Sequence, residues 1–161
     1  MEFLNKSVGI TGHQPFLLGG YDDAAANKLK QFAYNWLNKN KPKEVVSGLA
    51  AGWDTAVADA AVMAKIPLIS ALAYKGQADH WPEDARSKQD QLIKNSEYVY
   101  IHADEKEHGC YSKRDHWVLE RSDVILALWS GVDGGTARAI AKASKMEKLV
   151  INLWNKWEDF T

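Results

Sequence analysis

The chain has 161 residues, 46% of them hydrophobic and 25% charged, with a formal net charge of −1 at pH 7. This length and balance predict a single domain over residues 1–161 and leave no length for a second. The near-zero net charge lacks the basic excess of nucleic-acid binders, so we expect nucleic acid to be an unlikely partner. One cysteine, no apolar run long enough for a membrane span and no signal-peptide pattern predict a cytoplasmic protein without an internal disulfide.

Strand-like and helix-like patterns alternate along the whole chain. We predict strands at 7–11, 44–47, 67–72, 97–102, 123–129 and 148–154. We predict helices at 22–38, 53–65, 82–95, 111–121 and 136–146. The continuous apolar runs 124–128 and 149–151 are typical of strands buried on both faces of a parallel sheet. The fold is therefore predicted to be a doubly wound, mostly parallel α/β sheet with helices on both faces, and the aromatic tail 155–161 packs on the body or on a partner.

Three glycine-containing turns, at 9–15, 47–55 and 131–136, each follow a predicted strand and precede a predicted helix. Glycine lets a ligand approach the backbone closely, and the N-terminus of the following helix favours an anion. Such turns meet at the carboxyl edge of a parallel sheet, so we expect one shared anionic pocket. The expected ligand-binding residues are Thr11, Gly12, His13, Ser47, Gly48, Gly52, Asp54, Arg114, Gly134, Gly135 and Thr136.

Several of these residues have a second interpretation. Asp54 contacts a ribose hydroxyl, caps its helix, or does both. His13 is either a ligand contact or a structural hydrogen-bonding residue. Arg114 binds phosphate or carboxylate, or pairs with an acid on a surface helix. Residues 134–136 cradle phosphate or form an ordinary strand-to-helix turn, and Asp133 opposes phosphate unless it points away.

Aromatic residues are the other candidates for the pocket, because an aromatic ring stacks on a nucleobase. The candidates for stacking are Trp53, Trp81, Trp117 and Tyr111. The histidines and the cysteine follow no standard zinc spacing, so we predict no metal and no bound cofactor. The residues considered for metal binding are His102, His108, Cys110 and His116.

The stretch 47–61 (SGLAAGWDTAVADAA) resembles the SLOG superfamily, which includes DNA-processing protein A and the Lonely-Guy cytokinin-activating hydrolases. The resemblance continues in order through residues 9–15 (GITGHQP), 81–83 (WPE), 110–115 (CYSKRD) and 134–136 (GGT). It is greatest for the YpsA-like branch. It implies a Rossmann-like domain, often a homodimer, that binds a nucleotide or a nucleotide-derived ligand.

Two departures from the superfamily pattern bear on activity. The hydrolase branch has a catalytic glutamate after its GT pair, whereas residues 137–140 here are Ala-Arg-Ala-Ile. The arginine that the resemblance predicts after Gly12 and His13 is Gln14. Both differences argue against hydrolysis of an N-glycosidic bond more than against simple binding.

The sequence therefore supports three functions, the first of which is preferred. The first is binding of a nucleotide or a nucleotide-derived small molecule, such as an ADP-ribose-like or cyclic signal. The second is hydrolysis of a nucleoside monophosphate, with Arg114, Asp54 and Glu83 as candidate catalytic residues. The third is a single-stranded-DNA-handling module like DNA-processing protein A, which the near-neutral charge disfavours.

Overall fold

The structure is a computed structural model that describes residues 2–161. Its strands are β1 (Ser7–Gly12), β2 (Glu44–Ser47), β3 (Leu68–Leu72), β4 (Tyr98–Ile101), β5 (Val124–Leu128) and β6 (Leu149–Asn152). They form one sheet in the order β4-β3-β2-β1-β5-β6. Every neighbouring pair is parallel, which confirms the predicted sheet.

Helices cover both faces of this sheet. They are α1 (Asp23–Asn40), α2 (Trp53–Met63), α3 (Glu83–Lys94), α4 (Cys110–Arg121), α5 (Gly135–Lys145) and α6 (Trp154–Glu158). The larger core packs α1, α2, α3 and α6 against one face, and smaller clusters pack α4 and α5 against the other. The doubly wound architecture is therefore confirmed. Among residues 2–161 there is no helix with the combined length and hydropathy of a membrane span.

The two continuous apolar runs have different environments. All five residues of β5 are buried, as the run 124–128 predicts. In β6, by contrast, Leu149 is 54% exposed and Val150 and Ile151 are half-buried. The prediction that 149–151 is buried on both faces is wrong, because β6 is an edge strand of the sheet.

The end of the chain turns back onto the body. The predicted strand 148–154 ends at Asn152, whose Oδ1 accepts hydrogen bonds from the amides of Trp129 at 3.1 Å and Trp154 at 3.2 Å. Trp154 thereby begins α6 instead of continuing the strand. The rings of Trp157 and Phe160 lie 5.3 and 5.2 Å from that of Phe32, so the aromatic tail packs on the body.

Trp53, the first residue of α2, belongs to the core. It is completely inaccessible to solvent, and its indole Nε1 donates a hydrogen bond to the carbonyl of Leu126 on β5 at 3.3 Å. Its ring lies 6.0 Å from that of Phe32 on α1. The prediction that Trp53 stacks on a ligand base is therefore wrong, because both ring faces are enclosed by protein.

We expect Trp53→Ala to lower the free energy of unfolding by about 3–5 kcal/mol, since it opens a large cavity between α1, α2 and the sheet. Urea denaturation followed by circular dichroism measures this change. Trp81→Ala is the matched control, because Trp81 is partly exposed and its loss should cost clearly less. Equal costs for the two variants would contradict the placement of Trp53 in the core.

Candidate functional site

The sheet has its topological switch at β1, which pairs with β2 on one side and with β5 on the other. In open α/β sheets, ligands bind beyond the carboxyl ends of the strands at such a point. A cavity of about 340 Å³ opens there. Its wall is built from the end of β1, the loops after β1, β2, β3 and β5, the starts of α2 and α5, and α4.

Most of the predicted ligand-binding residues line this cavity, although they come from four separate parts of the chain. Those that line it are Thr11, Gly12, His13, Asp54, Arg114, Gly134, Gly135 and Thr136. Three predicted residues do not line the cavity and lie behind its wall, namely Ser47, Gly48 and Gly52. Glu83, a candidate catalytic residue, is exposed at the start of α3 and is not part of the cavity.

Ser47, Gly48 and Gly52 instead hold the wall together. The Ser47 hydroxyl donates to the carbonyl of Asp54 at 2.9 Å and accepts from the amide of Leu49 at 3.1 Å. A Cβ at Gly48 would lie 2.7 Å from the guanidinium carbon of Arg114. A Cβ at Gly52 would lie 2.9 Å from the Cα of Gln14. Glycine is required at both positions because neighbouring protein groups approach the backbone.

The third turn, between β5 and α5, is open. A Cβ at Gly131 or Gly134 would meet no described heavy atom within 4 Å. Gly134 is the N-cap residue of α5, and within residues 2–161 no side chain caps this helix. The first N–H groups of a helix have no acceptor inside the helix, so this end presents free donors and a positive dipole. It is a suitable place for an anion.

Arg114 is buried in the cavity wall, with 5% of its surface exposed. Its Nη1 donates to the carbonyls of Gly48 and Ala71, the latter at 3.2 Å. Its Nε donates to Oδ1 of Asp115 at 2.8 Å. Among the described residues, Nη2 has no hydrogen-bond acceptor. The guanidinium therefore fixes the loop after β2 and keeps one donor group for a ligand.

Asp54, the second residue of α2, is a buried carboxyl in the same wall. It is 8% exposed, and its Oδ1 has no hydrogen-bond partner among residues 2–161. Burial raises the pKa of Asp54 to about 7, because the ionised form loses its hydration. The nearby guanidinium of Arg114 and the amide of Ala50 oppose this rise in pKa, and Asp115 reinforces it.

His13 joins two loops of the wall. Its Nε2 accepts a hydrogen bond from the amide of Ser130 at 2.9 Å, and its own amide donates to the carbonyl of Leu128 at 3.1 Å. An accepting Nε2 carries no proton, and burial lowers the pKa of His13. His13 is therefore a neutral hydrogen-bonding residue of the wall that also lines the cavity.

The mouth of the cavity carries exposed apolar side chains that the sequence prediction missed. Phe16 is 64% exposed, Leu17 37% and Val132 48%. Phe16 and Leu17 directly follow Pro15 in a short 3-10 turn. In the sequence, two consecutive large apolar residues in a predicted loop were the signal that could have indicated this exposed patch. Among the predicted aromatic candidates, Tyr111 lines the cavity, whereas Trp81 and Trp117 do not.

A family model described as DNA recombination-mediator protein A matches residues 21–160. The chain belongs to this family. Membership agrees with the predicted SLOG-type resemblance, because DNA-processing protein A was among the proteins that the sequence motifs indicated. No curated protein matches the chain closely enough to be called a relative.

Solved structures with the same fold include DNA processing protein A from Streptococcus pneumoniae, with a TM-score of 0.65 and 17% identity over 91% of this chain and 49% of that chain. The Helicobacter pylori protein, whose structure concerns its binding of single-stranded DNA, has a TM-score of 0.60 and 19% identity over 92% of this chain and 65% of that one. The chain thus spans about half to two thirds of these proteins. The Moco carrier protein from Chlamydomonas reinhardtii has a TM-score of 0.57 and 19% identity, over 93% of this chain and 76% of that chain.

The expectation that nucleic acid is an unlikely partner is wrong. The family is one of DNA recombination mediators, and the similar Helicobacter pylori protein binds single-stranded DNA. Net charge was a misleading guide, because it sums over the whole surface. Phosphate binding depends on local groups, so a near-zero total charge does not exclude a site with cationic and amide donors.

The raised pKa of Asp54 makes stability depend on pH. The unfolded carboxyl ionises near its ordinary value of 3.8 and the folded one near 7, so the stabilisation is complete below about pH 4 and is lost as pH rises to about 7. We therefore compare the free energy of unfolding of Asp54→Asn with that of the native protein. The variant's value minus the native value should increase by about 2–3 kcal/mol from pH 5 to pH 8. Urea denaturation at the two pH values measures it.

Asp133→Asn is the control for this measurement, because it removes an exposed carboxylate from the same cavity. We expect no comparable gain from it. A difference between Asp54→Asn and the native protein that stays constant from pH 5 to pH 8 would contradict the assignment of a buried, late-ionising carboxyl.

Proposed function

We propose that this chain binds single-stranded DNA and takes one nucleotide of the strand into the cavity between β1 and β5. The observation that carries the proposal is the combination, in one cavity, of an uncapped helix N-terminus, a buried arginine and an exposed aromatic rim. Membership in the family of DNA recombination mediators supports DNA as the source of that nucleotide.

The phosphate is assigned to the third turn. The free amides at residues 134–136 are suited to bind an anion, and the Thr136 hydroxyl adds a donor at the same place. Arg138, one turn further along α5, places its Nη2 3.8 Å from where a Cβ of Gly135 would lie. Arg138 therefore adds a cation beside the third turn, and the catalytic glutamate of the hydrolase branch has no counterpart among residues 137–140, which favours phosphate binding over hydrolysis.

The base is assigned to the mouth of the cavity. Single-strand binding proteins combine cationic groups with aromatic rings on which bases stack, at about 1–3 kcal/mol per base. Phe16 and Tyr111 are 64% and 44% exposed and line the cavity from the loop after β1 and from α4. A base between these loops leaves its neighbours in the strand outside, as one-nucleotide capture requires.

Binding of a free nucleotide or a nucleotide-derived small molecule is the second candidate. A volume of about 340 Å³ lies in the range of small-ligand pockets. The Moco carrier protein shares the fold and is named as the carrier of a small molecule. The resemblance of the sequence to the YpsA-like branch supports this second candidate, because it implies binding of a nucleotide or a nucleotide-derived ligand. For a hydrolase, Arg114 and Asp54 lie in the cavity, but Glu83 does not.

Thr136→Asp tests the phosphate assignment. It places a carboxylate among the amides of the third turn, so we expect the affinity for a fluorescent oligothymidylate of about 20 nucleotides to fall about 100-fold or more. Fluorescence anisotropy at fixed salt measures the Kd. Ser144→Asp is the matched control, because it adds the same charge to an exposed position near the other end of α5.

Competition with thymidine monophosphate separates the two candidates. If the mononucleotide binds as tightly as the oligonucleotide, the free nucleotide is the better assignment. If neither binds, or if Thr136→Asp binds as well as Ser144→Asp, the proposed site is wrong.

Phe16→Ala tests the base assignment. Loss of a stacking ring should weaken oligothymidylate binding about 5-fold to 100-fold, while thermal stability stays nearly unchanged because the ring is exposed. Tyr21→Ala is the control, since Tyr21 is 73% exposed on the same loop but does not line the cavity. Equal affinities of the two variants would contradict a stacking role for Phe16.

A further inference from the structure

Asp54 is a feature of the cavity that phosphate binding does not explain. Three carboxylates line this cavity, those of Asp54, Asp115 and Asp133. Asp115 pairs with Arg114, and Asp133 is exposed to water. Asp54 is more than nine-tenths buried, and its Oδ1 has no partner in the described part of the chain. A buried, unpartnered carboxyl oxygen is costly, so its place in a ligand cavity needs a reason.

The groups around Asp54 come from every element that packs there. On α4, Arg114 lowers the pKa of Asp54 and Asp115 raises it. The amide of Ala50, before α2, stabilises the ionised form. From the loop after β1, His13 is neutral, and Asp133 lines the same cavity from the loop after β5. No described cation lies within ion-pair distance of Asp54, because the guanidinium of Arg114 pairs with Asp115 instead.

We propose that Asp54 recognises the bound nucleotide as an uncharged carboxylic acid, which donates one hydrogen bond to an acceptor oxygen of the DNA strand. This inference rests on the proposed function, and it assigns the donor within the same cavity. The proton comes from solvent when the strand binds to ionised protein, and it returns to solvent when the strand leaves.

Electrostatics favour this form of Asp54 in the complex. An ionised carboxylate a few ångströms from a phosphate repels it, and the repulsion is large where water is excluded. A neutral acid removes the repulsion and turns the same oxygen into a donor. Carboxylic acids held neutral by burial act as hydrogen-bond donors in other binding sites. The cavity then presents Arg114, the amides of the third turn and Asp54 as donors to one anion.

The proposal has a specific pH signature. The pKa of Asp54 is raised to about 7, so its protonated fraction falls steeply between about pH 6.5 and pH 8.5. If only the protonated form binds, the apparent affinity falls with that fraction, about tenfold or more over this range. Burial lowers the pKa of His13 below its ordinary 6.5, so His13 does not titrate in the same window.

The test measures binding of the fluorescent oligothymidylate from about pH 6.5 to pH 8.5 at constant ionic strength. We expect the Kd of the native protein to rise about tenfold or more, and that of Asp54→Asn to rise less than about twofold, because the amide donates at every pH. Asp115→Asn should keep a pH dependence, displaced toward lower pH because the charge of Asp115 helps to raise the pKa of Asp54. Calorimetry in two buffers of different ionisation enthalpy should show proton uptake near pH 7.5 by the native protein and none by Asp54→Asn.

Each outcome has a distinct meaning. Binding by the native protein without pH dependence or proton uptake overturns the inference and leaves the proposed function intact. The same holds if Asp54→Asn binds much more weakly than the native protein at all pH values. Absence of binding by every protein at every pH overturns the proposed function itself. The calorimetry of the native protein decides the matter even if the variant does not fold.

Discussion

Close packing at three glycines determines the shape of the whole candidate site. Gly12 lies against the ring of Trp53, Gly48 against the guanidinium of Arg114, and Gly52 against the loop after β1. A side chain at any of these positions would push neighbouring elements apart. Neighbouring protein groups therefore occupy the space beside these glycines, and the loops after β1 and β2 pack into a continuous wall. Open space remains at the third turn, and this asymmetry is the reason that we assign the anion to that turn.

Two buried charged residues give that wall its electrostatic character. Arg114 donates hydrogen bonds to two backbone carbonyls and to Asp115, so it holds the wall together, and we propose that its remaining donor group contacts the ligand. Asp54 lies in the same wall, and its Oδ1 has no hydrogen-bond partner among residues 2–161. Since burial disfavours its ionised form, the cavity is less acidic near neutral pH than its three carboxylates suggest. A local balance of this kind is invisible in a net charge of −1.

The sequence predicted the sheet and the edge of the sheet where the cavity opens, but not the packing around that cavity. Alternating periodicity and glycine turns located all six strands, because each buried strand leaves a local pattern. The edge position of β6, the burial of Trp53 and the exposure of Phe16 depend on contacts between distant segments, which no local pattern encodes. In the same way, glycines that meet protein and glycines that face a cavity look alike in sequence. Family membership, and not composition, is the reason for proposing DNA as the ligand.

Photo-crosslinking tests the central claim most directly, namely that a base of single-stranded DNA sits at the mouth of the cavity between β1 and β5. An oligothymidylate carrying iododeoxyuridine is bound to the native protein, irradiated, and the crosslinked peptide is identified by mass spectrometry. We expect crosslinks at Phe16 or Tyr111. Crosslinks confined to other exposed aromatic residues, such as Tyr98 at the β4 edge, would contradict it.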